Sequence, residues 1–153
     1  MTDQNQTTEM GQHPPAWTAE RLLKILLRVT GAVMALALAA VVMPRSWMAR
    51  AHRELGLGDL PAGMLIEYLA RSVSALYGAI GVALWLLACD VRKHLGAIRF
   101  TGAAFVVLAP IALAVLWPHY GKPGFLYVAA DASAGIMFGL LALILSAKVQ
   151  RSD

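Results

Sequence analysis

An aspartate sits in the middle of a stretch that is otherwise apolar or small. Asp131 lies within residues 125–145, among leucine, valine, alanine, glycine and phenylalanine. An ionised carboxylate at the centre of a membrane helix costs about 2.5–3.5 kcal/mol on insertion scales, so it has a partner or a task. A second ionisable set lies upstream, in the order Glu67, Arg71, Ser74, Tyr77. Glu67 and Arg71 are four residues apart, which makes them neighbours on a helix surface. Ser74, Gly78 and Gly81 continue roughly the same face. Asp131, Gly135 and Gly139 also recur every fourth residue, and small residues at that spacing let two membrane helices approach closely.

Depth connects the two sets. Arg71 and Asp131 each lie about 10 Å along helices that begin near Met64 and Gly124 and run in the same direction. The expectation is a Glu67–Arg71–Asp131 cluster, with Ser74 and Tyr77 as hydrogen-bonding neighbours and Tyr68, Tyr127 and Ser133 nearby. Such a cluster has two chemistries open to it. It can pair charges between helices and fix their register. Alternatively, two carboxylates against one arginine leave a net negative charge, which suits a proton or a substrate.

The other reactive residues are less informative. Cys89 is the only cysteine, so an intrachain disulfide is ruled out. It reads as a small buried apolar residue. His13, His52, His94 and His119 all fall outside the apolar stretches, whereas a membrane haem needs axial histidines within its helices. No close His-x-x-x-His spacing supports a metal, and no phosphate loop or nucleophile elbow occurs. No cofactor and no metal ligand set is expected.

The elements that must carry these residues are long and apolar. The chain is 59% hydrophobic and 14% charged, with a net charge of +4. A soluble domain carries about 45–50% apolar and about 25% charged residues. Four spans are expected, over about 22–43, 64–89, 97–117 and 125–147, since a helix needs about 20 apolar residues to cross a bilayer. They form one domain over 19–153. Residues 1–18 are polar and rich in Gln and Thr, and should be a disordered tail. That long polar lead, with Glu20, weighs against a cleaved leader in favour of a retained first span.

Pro44 stops the first span. The segment 45–55 that follows places Trp47, Met48, Ala51 and Leu55 at helical spacing, with Arg45, Arg50 and Arg53 between them. It is too short to cross the membrane and reads as an interfacial amphipathic helix. The fold class is therefore all-α: an integral membrane four-helix bundle with a short surface helix after its first span.

The basic residues set orientation and argue against nucleic acid, because they sit at the ends of apolar segments. Arg21, Lys24, Arg28, Arg92, Lys93, Arg99, Lys148 and Arg151 share one side of a four-span topology; Arg45, Arg50, Arg53 and Lys122 share the other. The excess on the first side places both termini in the cytoplasm.

Several local patterns carry a resemblance. They are Met43-Pro44-Arg45-Ser46-Trp47-Met48, the run from His52 to Pro61, the run from Glu67 through Arg71, Ser72, Ser74 and Tyr77 to Gly78, and Asp90-Val91-Arg92. This part of the chain resembles a group of small bacterial four-helix integral membrane proteins, loosely similar to the DoxX-like proteins. The resemblance implies the architecture and a bacterial inner membrane, and no activity. It covers about residues 22–98, so Asp131 lies beyond it.

Three classes of function fit. One is an accessory or interaction protein that docks other membrane subunits, a second copy or lipid. Another is a small oligomeric transporter using Glu67, Arg71 and Asp131. The third is a quinone-linked redox subunit, for which His52 and His119 would have to converge.

Overall fold

The computed structural model describes residues 16–122 and 124–151, with the side chains of residues 16, 17 and 119 left aside. The tail over 1–15 lies outside the described residues, and the chain is already helical at Ala16. The helices are α1 (Ala16–Ala35), α2 (Leu38–Val42), α3 (Arg45–Glu54), α4 (Met64–Leu87), α5 (Leu95–Leu116) and α6 (Phe125–Gln150), with a single 3₁₀ turn over Trp117–His119 after α5. No strand occurs among the described residues. Four stretches are long and apolar enough to cross a membrane: Thr18–Val42, Met64–Leu87, Leu95–Leu116 and Phe125–Gln150. The protein is an all-α, multi-pass four-helix bundle.

Turn chemistry sets the element boundaries. Pro44 has no N–H to continue α2 and serves as the N-cap of α3. Gly124 adopts φ +92°, in the left-handed region, immediately before α6 begins. A side chain there would be strained, so glycine makes the turn possible.

The first span is not one continuous helix, contrary to the uninterrupted stretch expected over 22–43. After Ala35 the backbone tightens, with Ala37 bonding back to Met34, Ala39 to Leu36 and Ala40 to Ala37. Three-residue bonds of this kind belong to a 3₁₀ turn. Residues 34–40 contain no proline or glycine, so local sequence does not require the break. It coincides instead with tertiary contact: Leu38 packs on Gly78, and the end of α2 meets Arg71.

Helix packing follows a chain of neighbours: α5 lies on α6, α6 on α1, and α1 on α4, with α2 also on α4. Two of these contacts are close backbone crossings. A Cβ at Gly81 would lie 2.6 Å from the Ala35 nitrogen and 2.6 Å from the Gly31 carbonyl oxygen. A Cβ at Gly139 would lie 2.5 Å from the Gly102 carbonyl oxygen and 2.8 Å from Val106. With lipid outside and no hydrophobic gain from helix association, van der Waals packing at such crossings is what holds membrane helices together. Phe105 and Phe138 add an edge-on ring contact at 5.3 Å beside the second crossing.

Burial is uneven along the bundle. Leu23, Leu27, Leu84, Ala88, Val91, Ile98, Ala142 and Val149 are buried, and all lie toward the end that carries the start of α1 and the end of α6. That end is also tied by charge. Glu20 accepts from Lys24 at 2.8 Å and from Arg92 at 3.0 Å, joining α1 to the turn after α4. Arg99 donates to the fully buried Ser146 at 3.3 Å. At the opposite end, which carries α3, Phe125 and Ala132 are buried, and Leu57 lies against Gly124 at the start of α6.

Gly96 supplies a local prediction. It lies in the first turns of α5, and a Cβ there meets nothing within 4 Å. Gly96→Ala should raise stability by up to about 1 kcal/mol, the helix-propensity difference between the two residues. An unfolding titration in detergent micelles checks this.

Candidate functional site

Arg71 is placed by α4 at the broken end of the first span. Its guanidinium donates to the carbonyl oxygen of Val41 and, at 3.1 Å, to that of Met43. It also donates to Glu67 Oε1 from Nη2 at 2.8 Å and from Nε at 3.2 Å. The last carbonyls of a helix have no intrahelical donor, and Pro44 cannot supply the next N–H. In hydrocarbon such groups must be satisfied internally. Arg71 therefore caps the C-terminal end of α2 from a neighbouring helix, and its positive charge suits the negative end of the helix dipole. Glu67 holds the guanidinium in position and stands 4.0 Å from Arg45, the first residue of α3.

Asp131 is elsewhere. Its Oδ2 accepts a hydrogen bond from the Tyr77 hydroxyl at 3.1 Å. No Lys, Arg or His side chain of the described residues stands within ion-pair distance of it. Glu67, Arg71 and Asp131 do not form the single cluster expected from their matching depths; they divide into an Arg45–Glu67–Arg71 group and a Tyr77–Asp131 pair. The cause is angular. Arg71 and Tyr77 are six residues apart, about 120° around α4. The stripe of Arg71, Gly78 and Gly81 faces α1 and α2, as the contacts of Gly78 with Leu38 and of Gly81 with Gly31 and Ala35 show. Tyr77 instead shares the meridian of Leu84, about two turns away, and looks across to α6. Ser74 is partly buried on the α1-facing side.

The stripe on α6 likewise meets α5 rather than α4. Gly135 lies against Phe105, and Gly139 against Gly102. Capping of a neighbouring helix was not among the roles expected of Arg71. The signal was present: a helix ended by proline inside the membrane needs an outside donor, and Arg71 is the only basic residue within the second span.

The remaining candidates lie on or near α3. Arg50 pairs with Glu54 at 2.7 Å and Arg53 with Asp59 at 3.6 Å. The His52 ring nitrogen Nδ1 is 2.9 Å from the Gly58 carbonyl oxygen. Trp47 is 66% exposed, and no residue of α3 is buried. Convergence of His52 with His119 falls on a side chain outside the described set. Tyr127 donates to the Leu55 carbonyl at 2.8 Å and ties α6 to the end of α3.

Fold and site together define a small multi-pass helical membrane protein whose intramembrane arginine closes a helix end. Comparison with protein-family models, with curated proteins and with solved structures finds no match.

Proposed function

We propose that the chain is an accessory or interaction protein of a bacterial inner membrane. The observation that supports this reading is the use made of its polar groups. Arg71 caps the carbonyls of Val41 and Met43, Trp85 donates to the Arg28 carbonyl, and Tyr127 donates to that of Leu55. These groups hold the chain's own backbone. Outside the bundle, the far face of α6 offers Ile136, Met137, Leu140, Leu141 and Ile144 as one shallow apolar groove. Another membrane helix, from a larger subunit or a second copy, fits such a surface. No residue of α3 is buried and Trp47 is exposed, which suits a helix lying in the interface.

The test is purification in native-lipid nanodiscs followed by native mass spectrometry. A stable complex with another subunit, or a defined homo-oligomer, is expected, and Leu140→Arg should dissociate it while leaving the helix content unchanged. Monomer alone, in wild type and variant alike, would overturn the reading.

The positive-inside bias puts both termini in the cytoplasm and α3 outside. With Cys89 replaced by alanine, a cysteine at Asp59 should react with a membrane-impermeant maleimide in intact cells. A cysteine at Lys93 should react only after lysis. The reverse pattern would invert the topology.

A second reading, a small oligomeric carrier, draws on Asp131 alone, because Glu67 and Arg71 are engaged at the end of α2.

A further inference from the structure

Toward the α3 end, the helices pair off as two leaves. In one leaf α4 lies on α1 and α2, through the Gly81 crossing, Leu38 against Gly78, and the Arg71 cap. In the other leaf α5 lies on α6. Phe125, Ala132 and Gly139 recur every seventh residue and so share a meridian of α6. On that meridian Gly139 meets Gly102 of α5, and Phe125 meets Trp117 and Tyr120 just beyond the end of α5. The burial of Phe125 and Ala132 therefore belongs to the α5–α6 pair.

The leaves share a core at the inner end, where Leu23, Leu27, Leu84, Ile98, Ala142 and Val149 belong to one buried cluster drawn from α1, α4, α5 and α6. At the α3 end the joint is different, because α6 packs closely on neither α2 nor α4. Two side-chain hydrogen bonds cross it. Tyr77 of α4 donates to Asp131 of α6 at 3.1 Å, and Tyr127 of α6 donates to the Leu55 carbonyl at 2.8 Å. All three side chains are exposed. The segment carrying α3 runs across the joint as a strap. Its start stands 4.0 Å from Glu67 of α4, through Arg45, and its far end rests on α6 through Leu55 and Leu57.

We propose that this joint is a latched hinge. The α1–α2–α4 leaf and the α5–α6 leaf part at the α3 end about the inner core, and the Tyr77–Asp131 and Tyr127–Leu55 hydrogen bonds hold them closed. Membrane helices associate through close packing and interhelical hydrogen bonds, and a single such bond contributes little. A joint made of two of them opens more readily than the glycine crossings within each leaf. The latch also gives the intramembrane carboxylate a task that needs no cation.

The test is pulsed electron–electron resonance on the full chain in nanodiscs, with Cys89 replaced by alanine. Dilution with unlabelled chain restricts the signal to distances within one molecule. Nitroxides at Leu65→Cys and Leu126→Cys report the α3 ends of α4 and α6, and nitroxides at Leu86→Cys and Lys148→Cys report the inner ends; all four positions are exposed. Without further substitution, the outer pair should give one narrow distance. Tyr77→Phe combined with Tyr127→Phe should lengthen it and broaden it at least twofold, with the inner pair unchanged. Asp131→Asn keeps a carbonyl acceptor for Tyr77 and should stay closed. Asp131→Leu should open the outer pair partway, since Tyr127 still holds. Asp131→Leu also removes a charge from a membrane helix, so its folding should be preserved, and circular dichroism checks this. An outer pair unmoved in the folded double variant, or Asp131→Leu indistinguishable from Asp131→Asn, would overturn the proposal. So would an inner pair that moves with the outer one, because that is general loosening and not a hinge.

Discussion

Replacing Arg71 with leucine is expected to cost about 2–4 kcal/mol of bundle stability, because it leaves a carboxylate and two carbonyl groups without their donor at once. The carbonyls of Val41 and Met43 lose an outside donor, and Glu67 loses its nearest cation. A graded series separates capping from simple charge pairing. Arg71→Lys keeps the charge but not the planar fork that reaches carbonyls and carboxylate together, so it should lose an intermediate amount. Glu67→Gln should lose least, since the arginine still reaches both carbonyls. If pairing alone mattered, Glu67→Gln would match Arg71→Leu. Unfolding of each variant in mixed micelles gives the order, and an unchanged Arg71→Leu would refute the cap.

The second large effect is expected at the glycine crossings. Gly81→Ala and Gly139→Ala should each destabilise by about 3 kcal/mol or more, at the upper end of overpacking costs, because the added carbon meets backbone that no rotamer change can move. At Gly81 the obstruction is the Ala35 nitrogen and the Gly31 carbonyl, each at 2.6 Å; at Gly139 it is the Gly102 carbonyl at 2.5 Å. Gly96→Ala is the control, with the same chemistry in open space and the opposite expected sign. Near-neutral results at both crossings would mean that the helix pairs are looser than described. A two-helix crosslinking assay between α5 and α6 would show the same loss without a full unfolding curve.

Much of the architecture was legible before any tertiary contact was known. Apolar length marked four spans, and the described boundaries of α4, α5 and α6 fall within a few residues of those expected. Pro44 marked the end of the first span, and the arginines among Trp47, Met48 and Ala51 marked a short separate helix, which forms over Arg45–Glu54. Small residues recurring on one helix face, Gly135 and Gly139 in α6 and Gly78 and Gly81 in α4, marked close-packing positions. These features are local: length, proline geometry and periodicity act within one helix.

What local pattern did not contain was the choice of partner. In a bilayer, lipid is as apolar as leucine, so a stripe of small residues says that some helix approaches and not which one. The stripe on α4 went to α1 and α2, and the stripe on α6 went to α5. Arg71 and Asp131 were therefore separated, although their depths match. Arg71 was drawn to the unsatisfied carbonyls that Pro44 leaves at the end of α2, a stronger demand in hydrocarbon than a distant carboxylate. The break after Ala35 belongs to the same decision, because residues good enough for an uninterrupted helix yield there to Leu38 against Gly78 and to the reach of Arg71. Composition and periodicity settled that helices form and where they end; backbone approach and the satisfaction of buried carbonyls settled which faces meet.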